Sequence, residues 1–132
     1  MIIIDSSGWL HYFMNGDLAE PYSEYLTKRF GEIITPSIVL YEVYKKLRRE
    51  VDEEMLEDCL SQLEKTNLVE FSPDLSYRAA ELSLEHRLAM ADSIIYATAE
   101  AYDAKLVTSD KDFKNLPSVE YISPEERTSD AF

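Results

Sequence analysis

Ile2-Ile3-Ile4, followed without a spacer by Asp5-Ser6-Ser7, is the stretch that most restricts how this chain can fold. Three consecutive β-branched residues with no polar alternation suit a strand buried on both faces, the pattern of a parallel sheet covered by helices above and below. Such a strand ends with Asp5 at its carboxyl tip, on the rim where open α/β sheets bind ligands. Ser6 or Ser7 then stands where a helix beginning Gly8-Trp9-Leu10 needs its N-cap.

The remaining chain alternates helices and strands. A short helix is expected over 8–14, ended by Asn15-Gly16, and a second one capped by Asp17, with Ala19, Tyr22, Tyr25, Leu26 and Phe30 at helical spacing. Pro21 is compatible with that helix only in its first turn. A strand over 32–35 is stopped by Pro36, and a helix starting at Thr35 or Ser37 runs to about Arg49 with Ile38, Tyr41 and Leu47 on one side. Lys45, Lys46, Arg48 and Arg49 crowd its end, where the helix dipole favours cations. Asp52 caps a helix whose Met55, Leu56, Cys59, Leu60 and Leu63 form an apolar stripe. A strand over 68–71, a helix opened by Asp74 and carrying Ala79, Leu82 and Leu84, and an Ala-rich helix over 89–102 follow; the last is apolar almost all round, as a buried helix is. Strands over 105–108 and 119–122, the second at an edge, flank a short helix opened by Ser109. This succession predicts a three-layer α/β/α sandwich with a mainly parallel sheet of four to five strands. One domain over 1–123 and a polar C-terminal tail over 124–132 are expected.

Composition removes several classes of function. A length of 132 residues fits one domain with a real core, and the net charge of −13 argues against a bare polyanion-binding surface while inviting a basic partner. Cys59 is the single cysteine, which rules out an intramolecular disulfide and points to a reducing compartment. The start lacks the charged n-region of a signal peptide, and no apolar run approaches a membrane span. A cytoplasmic protein is expected.

Four of the 26 acidic residues have neighbours unlike those of a solvated face. Asp5 follows the Ile run, Glu42 sits within Ile38-Val39-Leu40-Tyr41-Glu42-Val43-Tyr44, Asp92 within Leu88-Ala89-Met90-Ala91-Asp92-Ser93-Ile94-Ile95, and Asp110 follows Leu106-Val107-Thr108-Ser109 at a second strand tip. A carboxylate in an apolar setting is expensive to bury unless it is paired or binds a cation. One shared site for a hard divalent metal, Mg²⁺ or Mn²⁺, accounts for all four. Each also has a plainer role open to it: Asp5, Asp92 and Asp110 as helix caps, Glu42 as the helical partner of Lys45 or Lys46. His11 and His86 read as packing or surface residues, and Tyr41, Tyr44 and Tyr96 as core or dimer contacts.

Ile2-Ile3-Ile4-Asp5-Ser6-Ser7, Pro36-Ser37-Ile38 with Glu42, Ala91-Asp92-Ser93-Ile94-Ile95-Tyr96-Ala97 and Leu106-Val107-Thr108-Ser109-Asp110-Lys111-Asp112-Phe113, in this order, resemble a PIN domain, and among PIN domains the VapC-type toxin ribonucleases of toxin–antitoxin pairs. The resemblance spans residues 1–122. It implies a metal-dependent endoribonuclease acting on RNA, with Asp5, Glu42, Asp92 and Asp110 as the acidic quartet that holds Mg²⁺ or Mn²⁺. It sets Ser6 and Thr108 where the family keeps a hydroxyl near the metal, and makes Asp112 a further candidate ligand. It also implies a small basic antitoxin protein as partner and a homodimer. Phosphodiester hydrolysis by paired divalent ions needs no nucleophilic Ser–His pair.

Two other classes fit less well. A phosphatase with an Asp nucleophile after its first strand needs an acid/base Asp two residues on, where Ser7 stands. A phospho-accepting receiver needs an acidic pair at one strand end and a Lys after a late strand; Asp5 is solitary and no suitable Lys follows Thr108. A PIN fold used in RNA maturation, or as an RNA- or protein-binding module without an antitoxin, remains the alternative.

Overall fold

The structure, a computed structural model, describes residues 1–124; of the expected tail, all but Pro124 lies outside the described residues. Strand β1 (Ile2–Ile4) is fully buried, with Ile2 and Ile3 at 0% exposure, so both its faces are covered as the Ile run requires. Burying each such side chain contributes roughly 1.5–3 kcal/mol. The chain continues through α1 (Ser6–Phe13), α2 (Ala19–Lys28), β2 (Ile34–Pro36), α3 (Ser37–Glu50), α4 (Glu53–Leu63), β3 (Asn67–Val69), α5 (Pro73–His86), α6 (Met90–Ala101), β4 (Lys105–Thr108) and β5 (Val119–Tyr121). Short 3₁₀ turns occupy Phe30–Glu32 and Lys111–Phe113.

All strand pairings are parallel. β1 pairs with β4 in the register Ile2 to Lys105, Ile3 to Leu106 and Ile4 to Val107, and β4 pairs with β5. β2 pairs with β3, and a parallel bridge between Ile2 and Ile33 joins this pair to the other three strands. The spatial order is therefore β3-β2-β1-β4-β5, the predicted α/β/α architecture with β5 at an edge. The chain builds outward from β1 in one direction and then returns to its other side with β4. That reversal opens a crevice at the carboxyl ends of β1 and β4, the position where such sheets bind ligands.

Several local expectations are corrected. Asp5, and neither Ser6 nor Ser7, is the N-cap of α1: its side chain accepts the Gly8 N–H, because β1 ends at Ile4 and the helix begins at Ser6 with no residue between but Asp5. α2 starts after Leu18 and has no side-chain cap, so Asp17 lies one residue outside the capping position; Pro21 falls in the first turn. Ser72 caps α5 in place of Asp74, whereas Asp110 takes at the last 3₁₀ turn the cap role that its sequence position left open. Asp52 caps α4 as expected.

Pro36 ends β2 as a paired residue opposite Val69, since a parallel ladder needs only its carbonyl there. β3 begins one residue early and stops at Val69, leaving Leu68 and Phe71 exposed at the edge of the sheet. On α3 the buried stripe is Val39, Val43 and Leu47, so Tyr41 and Tyr44 are exposed while Tyr96 on α6 is buried. Met55 lies one position to the side of the buried Leu56, Cys59 and Leu63, and Leu84 points away from the core. α6 matches its reading, with 93–99 buried without a break. Among the described residues no helix is long and apolar enough to cross a membrane.

Candidate metal centre

The last backbone link of the β1–β4 ladder, Asp5 N–H to the Val107 carbonyl at 3.2 Å, fixes Asp5 at the strand tip. Its carboxylate is buried and takes four hydrogen bonds. Oδ1 accepts from the Gly8 N–H (2.9 Å) and the Tyr22 hydroxyl (3.0 Å); Oδ2 accepts from Thr108 Oγ1 (2.6 Å) and Ser7 Oγ (3.2 Å). These bonds favour the charged form, but loss of hydration outweighs them and raises the Asp5 pKa above its ordinary value. Tyr22, fully buried, is pushed up by burial and by the Asp5 charge, so it remains a hydrogen-bond donor.

Thr108, at the tip of β4 and completely buried, joins two parts of the site. Its hydroxyl donates to Asp5 and accepts the Asp110 N–H at 3.0 Å. Asp110 Oδ1 in turn accepts the Asp112 N–H at 2.9 Å, so the 3₁₀ turn presents both side chains at the end of β4. Asp92 enters from the first turn of α6, where the helix dipole favours a carboxylate. Asp92, Asp110 and Asp112 each offer an oxygen, and the three oxygens lie within 4.8 Å of one another. Glu42 comes from α3 and accepts from Ser6 Oγ at 2.6 Å, in place of the Lys45 or Lys46 pairing that its helix also allows.

Asp5, Glu42, Asp92 and Asp110 line one groove of about 540 Å³. None of these, nor Asp112, forms an ion pair among the described residues. The consequence falls on Asp92: burial, then the charges of Asp110, Glu42, Asp112 and Asp5, push its pKa up to about 6. Carboxylate oxygens gathered in this way from separate elements are the type of donor that hard divalent ions take. Asp5 lines the same groove with both carboxylate oxygens hydrogen-bonded.

Sequence reasoning missed Tyr22 and Gly8. Tyr22 was legible only as one apolar position of α2, because nothing local marks a hydroxyl that reaches back 17 residues to Asp5. Gly8 carries a weak signal, a glycine in the first turn of a helix. A Cβ there would overlap the Tyr22 ring and crowd Asp5 Oδ1, so only glycine lets α1 pass between them. His11 and His86 have packing roles: His11 Nδ1 accepts the Leu18 N–H, and His86 meets the Tyr96 ring edge-on.

Residues 2–119 match the family model of the PIN domain. No curated protein matches the chain significantly in sequence. Among solved structures, a toxin–antitoxin complex from Klebsiella pneumoniae is similar with a TM-score of 0.78 at 23% identity, over 94% of this chain and 98% of that one. VapBC2 from Rickettsia felis, bound to a DNA fragment from its promoter, gives 0.71 at 24% identity over 92% and 98%. VapC20 from Mycobacterium tuberculosis, a toxin that cleaves the sarcin–ricin loop, gives 0.77 at 18% identity over 93% and 100%. At these identities the likeness of the structures speaks to the fold. The family match adds the sequence itself, from β1 with its terminal Asp5 to the first residue of β5, and the chain belongs to the PIN domain family.

Proposed function

We propose that this chain is an endoribonuclease that requires Mg²⁺ or Mn²⁺ and acts as the toxin of a toxin–antitoxin pair in the cytoplasm. The observation that carries the reading is the meeting of Asp92, Asp110 and Asp112 within 4.8 Å, beside Asp5 and Glu42 in one groove and without a paired cation among the described residues. Asp5, Glu42, Asp92 and Asp110 are the residues that would hold metal, with Asp112 a further ligand beside Asp92 and Asp110. A bound divalent ion supplies a water of lowered pKa and relief of phosphate charge. The protein's own part is positioning. Thr108 locks Asp5 and the Asp110 turn to one strand tip, Ser6 orients Glu42, and Tyr22 holds Asp5 Oδ1. Relatives of the same fold were solved as toxin–antitoxin complexes, which supports a small protein partner here; a net charge of −13 favours a basic one. A homodimer is the expected assembly.

Purified protein with Mg²⁺ or Mn²⁺ should cleave single-stranded RNA, and either EDTA or Asp92→Asn should abolish cleavage. Activity that survives both treatments would mean that the carboxylate cluster is not the active site. Affinity capture from the native host at native expression should return a small basic protein; recovery of none would remove the antitoxin from the reading.

A further inference from the structure

The groove has a second charged feature that the carboxylates do not use. α3 ends in four cations, and two are neutralised locally: Lys46 pairs with Glu50 at 2.9 Å and Arg48 with Glu53 at 2.7 Å. Lys45 and Arg49 form no ion pair among the described residues, although the chain has 26 acidic residues against 13 basic ones. Both line the groove on the same face of α3 as Ile38 and Glu42. The spacing 38, 42, 45, 49 is a single helical stripe. Lys45 is three residues from Glu42, a spacing at which helical ion pairs form, yet Glu42 bonds to Ser6 and Lys45 Nζ sits 5.5 Å over the exposed Tyr41 ring. Along the helix axis, Lys45 and Arg49 stand about 4.5 and about 10.5 Å beyond Glu42.

We infer that Lys45 and Arg49 form a phosphate track on α3, which binds the RNA backbone beside the scissile phosphodiester and leads the strand toward the C-terminal end of the helix. The inference rests on the nuclease reading and names how its substrate lies. In a strongly acidic protein, an RNA strand that reaches the carboxylates needs compensating positive charge in the same groove, and this pair is placed to supply it. Lys45 and Arg49 act as positioning residues, since the reacting phosphate lies at the carboxylates.

The test is binding and cleavage of a short fluorescein-labelled oligouridylate by Lys45→Gln, Arg49→Gln and the double variant. Lys65→Gln serves as control: it makes the same charge change just before the amino end of β3, on the opposite rim of the sheet. Binding is followed by anisotropy in an Asp92→Asn background with Mg²⁺, across a salt series. Each track variant should weaken binding several-fold and lower the slope of log K against log salt by about 0.7. In the wild-type background KM should rise several-fold while kcat changes less than about twofold, and Arg49→Lys should restore both. If the track variants behave like Lys65→Gln while wild type still cleaves, the inference is overturned and the nuclease reading stands. If RNA affinity is unchanged but the oligomer weakens in sedimentation, the strip is a protein contact and the inference is likewise overturned. If wild type neither binds nor cleaves RNA, the nuclease reading fails and takes the inference with it.

Discussion

Asp5 shows how a single carboxylate serves structure and site together. It caps α1 and is held by Tyr22 and Thr108 in a pocket that Gly8 keeps open. Gly8→Ala should therefore displace the Tyr22 ring and lower stability by about 1–3 kcal/mol, as overpacking does. Tyr22→Phe keeps the ring and removes the hydroxyl that bonds Asp5 Oδ1 and Ser109 Oγ, with a loss of about 1.5–3 kcal/mol. Urea unfolding measures both; a loss in Gly8→Ala alone would mean that packing, and not the hydrogen bond, makes Tyr22 matter. Asp110 allows the same separation. Asp110→Asn preserves the cap that accepts the Asp112 N–H, whereas Asp110→Ala removes it. Both should abolish cleavage, and the Ala variant should be the less stable by about 1 kcal/mol. Equal stabilities would show that the cap contributes nothing to this turn.

At the level of elements, legibility followed how completely each one is buried. β1, β4 and α6 were readable because Ile2–Ile4, residues 106–108 and residues 93–99 are buried without a break, so continuous apolar sequence was enough. α3 was harder to orient, since its site-facing stripe also carries Ile38 and the aromatic Tyr41, and apolarity alone does not separate a core face from a groove wall. β3 was misplaced for a related reason: an edge strand leaves Leu68 and Phe71 outside, so their apolar character marks no boundary. The cap of α1 was hard to place because Asp and Ser cap equally well, and only the chain path decides between Asp5 and the two serines after it. The corrected face of α3 has a measurable consequence. Leu47→Ala should lower stability by about 2–5 kcal/mol, and Tyr41→Ala should change it by less than about 0.5 kcal/mol. Comparable losses in thermal and urea unfolding would return Tyr41 to the core.

The site exists only at the scale of the whole molecule, since Asp5, Glu42, Asp92 and Asp110 come from four elements and meet by topology. The sequence marked each of them by its apolar neighbours, but the distances among them, and the inclusion of Asp112, depend on how the ends of β1, α3, α6 and β4 converge. Stability should record that convergence. The folded-state pKa of Asp92, about 6, lies above the ordinary 3.8, so between these values the folded chain holds a proton that the unfolded chain has released. Stability due to this group is therefore complete below about pH 4, falls as pH rises toward about 6, and stays low above that. The penalty at neutral pH is about 3 kcal/mol at most, since Asp92 remains partly open to solvent. In EDTA, Asp92→Asn should then be more stable than wild type at about pH 7.5, and the two should converge near pH 4. Mn²⁺ should raise the melting temperature of wild type more than that of the variant, because binding confined to the folded form stabilises it. Net charge changes wild type and variant nearly alike across this range, so the difference between them isolates what burial and then the neighbouring carboxylates do to Asp92. A variant less stable than wild type at neutral pH in EDTA would mean that neither burial nor the neighbouring carboxylates penalise a charged Asp92, and the metal centre would lose its electrostatic basis.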